Sequence, residues 1–177
     1  MRALFVIAIA VLIGFAISPS LHADAACTPT VSAPAPTPAQ DHWSDEQIAN
    51  ARLIISIGNQ RRVPNEGLVI AVATALQESR LRNLRGGDRD SIGLFQQRPS
   101  QGWGSPRQLS QPAYQTQKFY DKLLAIDGWQ KLRVTEAAQA VQVSAFPNAY
   151  AKHVPAATRL VDTLSPAARP APCTASV

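Results

Sequence analysis

The chain has 177 residues, 46% of them hydrophobic and 16% charged, which is enough for one globular domain and too little for two of ordinary size. Its formal charge of +5 suits an anionic partner such as a cell wall, a phospholipid surface or a nucleic acid, and does not choose among them. The three histidines, His22, His42 and His153, show no metal-ligand spacing, so neither a metal nor a cofactor is expected.

Residues 1–25 read as a signal peptide. Arg2 supplies a positive start, Ala3 to Ile17 is uncharged and apolar, Ser18-Pro19 breaks the run, and Ala23-Asp24-Ala25 offers small residues where a signal peptidase reads them. The apolar run falls short of the ~20 residues of a spanning helix, so a cleaved leader is expected rather than an uncleaved anchor. Asp24 stands where a lipobox has an aliphatic residue, which argues against lipid attachment at Cys27. The expected location is therefore secreted, at the cell wall, with no stable membrane insertion after cleavage. Residues 26–42 form a Pro/Ala/Thr-rich tether, and 166–177 a tail of similar character, neither able to build a core. The only cysteines, Cys27 and Cys173, lie near the two ends of the mature chain. One disulfide is expected, the alternative being two free thiols; closing so large a loop stabilises by about 4–5 kcal/mol on the chain-entropy view.

The folded unit, residues 43–165, carries helical signals throughout. Ser44 with Gln47 makes a capping box before Ile48, Ala51 and Ile55, a series ending around Gly58. Pro64 opens a second helix that runs to about Leu81, before Gly86-Gly87-Asp88. Ser105-Pro106 caps a short helix, and Pro112 starts another carrying Phe119, Leu123, Leu124 and Ile126 until Asp127-Gly128. Thr135 is expected to cap Glu136 to Ser144, ended by Phe146-Pro147, and a last helix from Asn148 to Leu164 to be interrupted near Pro155. Alternating strand patterns are missing. Irregular chain concentrates between Arg82 and Gly104, and a long glycine-containing loop in a helical domain is more often functional than idle.

The second helix raises a chemical question, because an uncharged apolar segment runs straight into Glu78. On a helical wheel Glu78 shares a stripe with Ala71, Thr74 and Ala75, whose narrow side chains leave room for a cleft beside the carboxyl. Apolar surroundings and the negative end of the helix dipole both favour the protonated form, as a general acid requires. The rival reading is an exposed helix-end glutamate paired with Arg80 or Arg82.

After Glu78-Ser79 comes Asp90-Ser91-Ile92-Gly93-Leu94-Phe95-Gln96-Gln97-Arg98-Pro99. Glu-Ser followed by Gly-Leu-Phe-Gln resembles the signature of lytic transglycosylases and related lysozyme-like domains, and GLFQQRPSQGWG resembles an exported actinobacterial subgroup found beside cell-wall peptidases. The resemblance covers about Ser44 to Leu164. It implies a mainly α, lysozyme-like helical domain with a long substrate-groove loop. It also implies that Glu78 is the catalytic acid, that Ser79 supports it, and that Gly93, Leu94, Phe95, Gln96 and Gln97 belong to the glycan groove, Gly93 by letting the backbone approach a sugar. Tyr150 is the best match to a tyrosine that such enzymes bring to the glutamate from a late helix, although the usual Ala-Tyr-Asn-Ala-Gly run is absent.

The expectation is thus a secreted enzyme that cuts the bond between N-acetylmuramic acid and N-acetylglucosamine in peptidoglycan glycan strands. Cell-wall peptidases remain partners of unstated identity. One glutamate would serve as acid and base, where ordinary glycosidases use two carboxylates. Asp88 and Asp90 are the candidates for a second, which would make the enzyme a hydrolytic muramidase. A non-catalytic wall-binding or scaffold protein of the same fold is the alternative from another class. Nucleic acid is not expected, for want of a recognition helix. Trp103 reads either as a sugar platform or a loop anchor, and Trp129 as core.

Overall fold

The computed structural model describes residues 42–143 and 148–165. The expected leader, nearly all of the expected tether, the tail, both cysteines and Phe146-Pro147 lie outside the described residues. Within them the chain is a mainly α-helical domain without a sheet; an isolated bridge between Ile92 and Gln97 is the one extended pairing described. Six α-helices follow in order: α1 (Asp45–Gln60), α2 (Asn65–Ser79), α3 (Pro106–Leu109), α4 (Pro112–Leu124), α5 (Val134–Gln142) and α6 (Val154–Leu164). Short 3-10 turns sit at Pro99–Gln101, Trp129–Lys131 and Ala151–His153. No described helix is long and apolar enough to cross a membrane.

The chain caps its helices much as its sequence indicates. The Gln47 amide donates to the Ser44 hydroxyl at 3.3 Å, and the Ser44 amide donates back to Gln47 Oε1 at 2.9 Å. Ser105 and Gln108 repeat this box at α3. Pro112 occupies the first turn of α4, where a missing N–H leaves nothing unsatisfied. Several boundaries differ from the sequence reading: α4 ends at Leu124, short of Ile126, and α5 at Gln142, short of Ser144. Helix α5 starts at Val134, not after Thr135, because Glu136 Oε2 accepts from the Arg133 amide at 2.9 Å while the two side chains pair. Thr135 itself is buried. Pro155 does not interrupt a helix from Asn148; it lies in the first turn of α6.

Helix α2 is the centre of the domain, with α1, α4, α5 and α6 all packed on it. Leu68, Ile70, Val72 and Leu76 are buried, and so is the small-residue stripe of Ala71, Thr74 and Ala75, each fully inaccessible. The stripe is therefore not a cleft wall. Its short side chains let neighbouring helices come close, and the Thr74 hydroxyl is spent on the Ile70 carbonyl at 2.7 Å.

The loop from Arg82 to Gly104 is pinned by a buried amide on α4. Gln115 Oε1 accepts from the Phe95 amide at 2.9 Å, and Nε2 donates to the Leu109 carbonyl at 2.6 Å and to Asn83 Oδ1 at 3.3 Å. Gly93 lies against this side chain with φ +77, and a Cβ there would fall 1.8 Å from Gln115 Nε2. Only glycine fits that contact and that backbone. Phe95 stacks on Phe119 with centroids 4.7 Å apart, fixing the loop to α4 from the apolar side.

Replacing Gln115 by leucine keeps bulk and strands the Phe95 amide and the Leu109 carbonyl in the interior. The variant should lose about 2–4 kcal/mol in chemical denaturation, at an unchanged denaturant slope. A loss below about 1 kcal/mol would mean that the loop does not hang on this amide.

Candidate active site

Glu78 sits on the last turn of α2, largely buried. The helix stops directly after it because Arg80 and Leu81 take left-handed backbone, φ 53 and 60, and their amides bond the Leu76 and Ala75 carbonyls at 3.1 Å each. The first turns of α1 take up the carbonyls beyond. Gln47 Nε2 donates to the Arg80 carbonyl at 2.9 Å and Asn50 Nδ2 to that of Leu81 at 2.8 Å. Glu78 is therefore held at a fixed helix end and is not at a fraying one.

The Tyr150 hydroxyl donates to Glu78 Oε1 at 2.9 Å, joining residues 72 positions apart. Tyr150 is fully buried, on the turn just before α6. Burial raises the Glu78 pKa above its ordinary value, opposed by the hydrogen bonds from Tyr150 and Gln142, which favour the carboxylate. Burial is the larger effect, so the carboxyl keeps its proton to higher pH than a free glutamate does. Gln142, at the C-terminal end of α5, also donates through Nε2 to the Phe95 carbonyl at 2.8 Å, linking the glutamate to the loop.

Glu78 opens into a cavity of about 330 Å³, at the small end of the ~300–1,000 Å³ range of ligand pockets. Its other walls come from the loop (Asp88, Arg89, Gln96, Arg98, Gln101 and Trp103) and from Gln142 and Val143 at the end of α5. The rim is polar and rich in amide and guanidinium donors, which suits a hydroxyl-bearing ligand.

The residues singled out from sequence divide into two sets. Glu78, Tyr150 and Gln96 meet at or behind the cavity. Ser79, Gly93, Leu94, Phe95 and Gln97 are buried, so the groove-lining expectation does not describe their side chains. Ser79 is a latch: its hydroxyl donates to the Leu94 carbonyl at 2.7 Å and accepts from the Arg82 amide at 3.2 Å. Gly93 meets Gln115 where an approach to a sugar was expected. Leu94 and Phe95 anchor the loop in the core, and Gln97 Nε2 donates to the Gln115 carbonyl at 3.1 Å. A loop crossing a hydrophobic core needs such inward anchors, which is why a run that resembles a groove lining leaves only Gln96 exposed to the cavity.

Of the two aspartates, Asp88 lines the cavity and Asp90 does not. Asp90 takes hydrogen bonds from the Ser100 amide and the Arg98 guanidinium, which hold its carboxyl well below the usual carboxylate range. Trp103 is buried, and the Lys122 ammonium lies 3.4 Å from its ring centroid, so one face is already covered. This makes it an anchor first. Trp129 is core. His153 Nε2 lies 3.0 Å from Gln77 Oε1, tying the turn after Tyr150 to α2. Sequence reasoning missed Gln142, which belongs to no local motif.

Because Glu78 binds its proton more tightly in the folded chain than its ordinary value allows, the stability tied to that proton is complete at low pH. It is lost as pH rises through the raised value. Glu78→Gln removes that loss. In thermal denaturation the variant should match wild type near pH 4 and exceed it near pH 7 by on the order of 1 kcal/mol. Equal stability at both pH values would refute a desolvated carboxyl.

Comparison with known proteins yields no matching family model and no matching curated protein. The function rests on the geometry of Glu78 and its surroundings.

Proposed function

We propose that this chain is a lysozyme-like enzyme that cleaves peptidoglycan glycan strands, acting as a lytic transglycosylase with Glu78 as its acid and base. The observation that carries the reading is a mostly buried carboxyl, its pKa raised by that burial, held by the Tyr150 hydroxyl and opening into a cavity rimmed with polar donors. The order of Glu78-Ser79 and Gly93-Leu94-Phe95-Gln96 along the chain supports the same reading by resemblance.

The protonated Glu78 carboxyl gives its proton to the oxygen linking N-acetylmuramic acid to N-acetylglucosamine as the bond from that oxygen to the muramoyl anomeric carbon breaks. The carboxylate so formed takes the proton of the muramoyl 6-hydroxyl, and that oxygen closes on the anomeric carbon to form a 1,6-anhydro ring. Glu78 ends protonated, as it began, and one group performs both transfers. Tyr150 holds the carboxyl in one orientation and, by donating to it, stabilises the carboxylate after the first transfer. Hydrolysis is a second reading because Asp88 lines the same cavity, and a second carboxylate there would activate water. Asp90 is a poor candidate for that work, engaged as it is by Arg98 and Ser100.

Digestion of purified peptidoglycan, with product masses read by mass spectrometry, tests the reading. Wild type should release anhydro-muropeptides and Glu78→Gln should be slower by at least ~100-fold. Reducing-end products would move the assignment to hydrolysis, and products from neither protein would end the enzyme reading.

Tyr150→Phe gives a further test through pH. Removing the hydroxyl removes a bond that lowers the Glu78 pKa, so the acid stays protonated to higher pH. The alkaline limb of the kcat profile should move upward in pH while the maximal rate falls about tenfold. A limb that stays in place would show that Tyr150 does not act on Glu78.

A further inference from the structure

We infer that Arg98 forms a carboxylate-recognising subsite beside Glu78, selecting the acidic substituents of a muramoyl residue over a neutral glucosamine polymer. The inference rests on the glycan-cleaving reading above and adds the feature of the glycan that the site reads.

Arg98 Nε donates to Asp90 Oδ1 at 2.7 Å. Asp90 is itself fixed by Ser100, whose amide donates to Oδ2 at 2.8 Å and whose hydroxyl donates to Oδ1 at 3.0 Å. The 3-10 turn at Pro99–Gln101 thus clamps the carboxylate that clamps the arginine. Among the described residues, no hydrogen bond engages Nη1 or Nη2 of Arg98, yet its side chain is only 21% exposed and lines the Glu78 cavity. The guanidinium is therefore oriented through Nε, with its terminal nitrogens unspent beside a ligand-sized space.

An arginine in this state matches a planar anion. Its terminal N–H groups form a fork that accepts the two oxygens of a carboxylate, and the ordering cost is largely met before the ligand arrives. Unspent donors, and not net charge, make the match, since Asp88 on the same rim offsets Arg89. The muramoyl unit carries the matching group. Its lactyl ether ends in a carboxyl, free on denuded strands, and on intact strands the attached peptide stem carries free carboxylates. A polymer of N-acetylglucosamine has neither. Asp90 acts as the positioning residue for Arg98.

Calorimetric titration of the full chain carrying Glu78→Gln, so that ligands are not consumed, tests the subsite. Four probes are compared: a neutral N-acetylglucosamine tetramer, denuded muramoyl tetrasaccharide with free lactyl carboxylates, the tetrasaccharide bearing stems, and the acidic probes with carboxylates converted to methylamides. At least one acidic probe should bind about tenfold tighter than the neutral tetramer, and which one does so tells the lactyl group from the stem. Methylamidation should erase the preference, a result that needs no variant to fold. Adding Arg98→Gln should erase it too, with neutral-tetramer affinity kept, and Arg98→Lys should retain part of it. A preference that survives methylamidation or Arg98→Gln overturns the subsite, and so does an Arg98→Gln loss equal for neutral and acidic probes. Neutral binding without any acidic preference overturns the subsite alone. Failure to bind any of the glycans overturns both the subsite and the glycan reading.

Discussion

Everything in this domain depends on how α2 ends. A helix surrounded by four others cannot leave its last carbonyls bare, since water does not reach them. Two left-handed residues, Arg80 and Leu81, turn the chain, and their amides bond back to the helix. Gln47 and Asn50 of α1 then supply the donors that the turn needs. Left-handed backbone at non-glycine residues is costly, on the order of 1–2 kcal/mol each, and it persists here because buried Leu81 and the α1 amides hold it. The termination that the core requires also places Glu78 where burial and the helix dipole favour its acid form. Core and chemistry share one constraint.

The loop that faces Glu78 has almost no ladder of its own, so side chains take that place. Amides of Gln115 and Gln142 and the hydroxyl of Ser79 satisfy its buried backbone, the Gln97 amide reaches out to the Gln115 carbonyl, and Leu94 and Phe95 supply its apolar anchors. Uncharged amides suit this task because each can donate and accept at once and no charge is buried.

Much of the helical frame could be read from the sequence, because caps are local: Ser44 with Gln47, Ser105 with Gln108, and Pro112 at a first turn. The boundary at α5 was hidden because Arg133 and Glu136 form a reciprocal cap without the usual small hydroxyl residue. Pro155 misled because proline reads equally as an interruption or a start. At the candidate site, Glu78 stood out by contrast with its greasy helix. Tyr150, brought forward by resemblance alone, needed the fold to meet it. Gln142 depends on tertiary approach and leaves no local trace. The small stripe of Ala71, Thr74 and Ala75 was legible as a pattern but not in its meaning, since short side chains serve close packing as readily as open space.

The division of labour within the loop bears on how such a site diversifies. Gly93, Leu94, Phe95 and Gln97 face inward, Leu94 tied to Ser79 and the others to Gln115, so change at any of them is felt by the whole loop. Asp88, Arg89 and Gln101 reach the same cavity from exposed positions. A lineage can vary those three and alter what the cavity accepts while the scaffold beneath is untouched. In this architecture the ability to acquire a new preference is built in by keeping these three side chains apart from those that hold the loop.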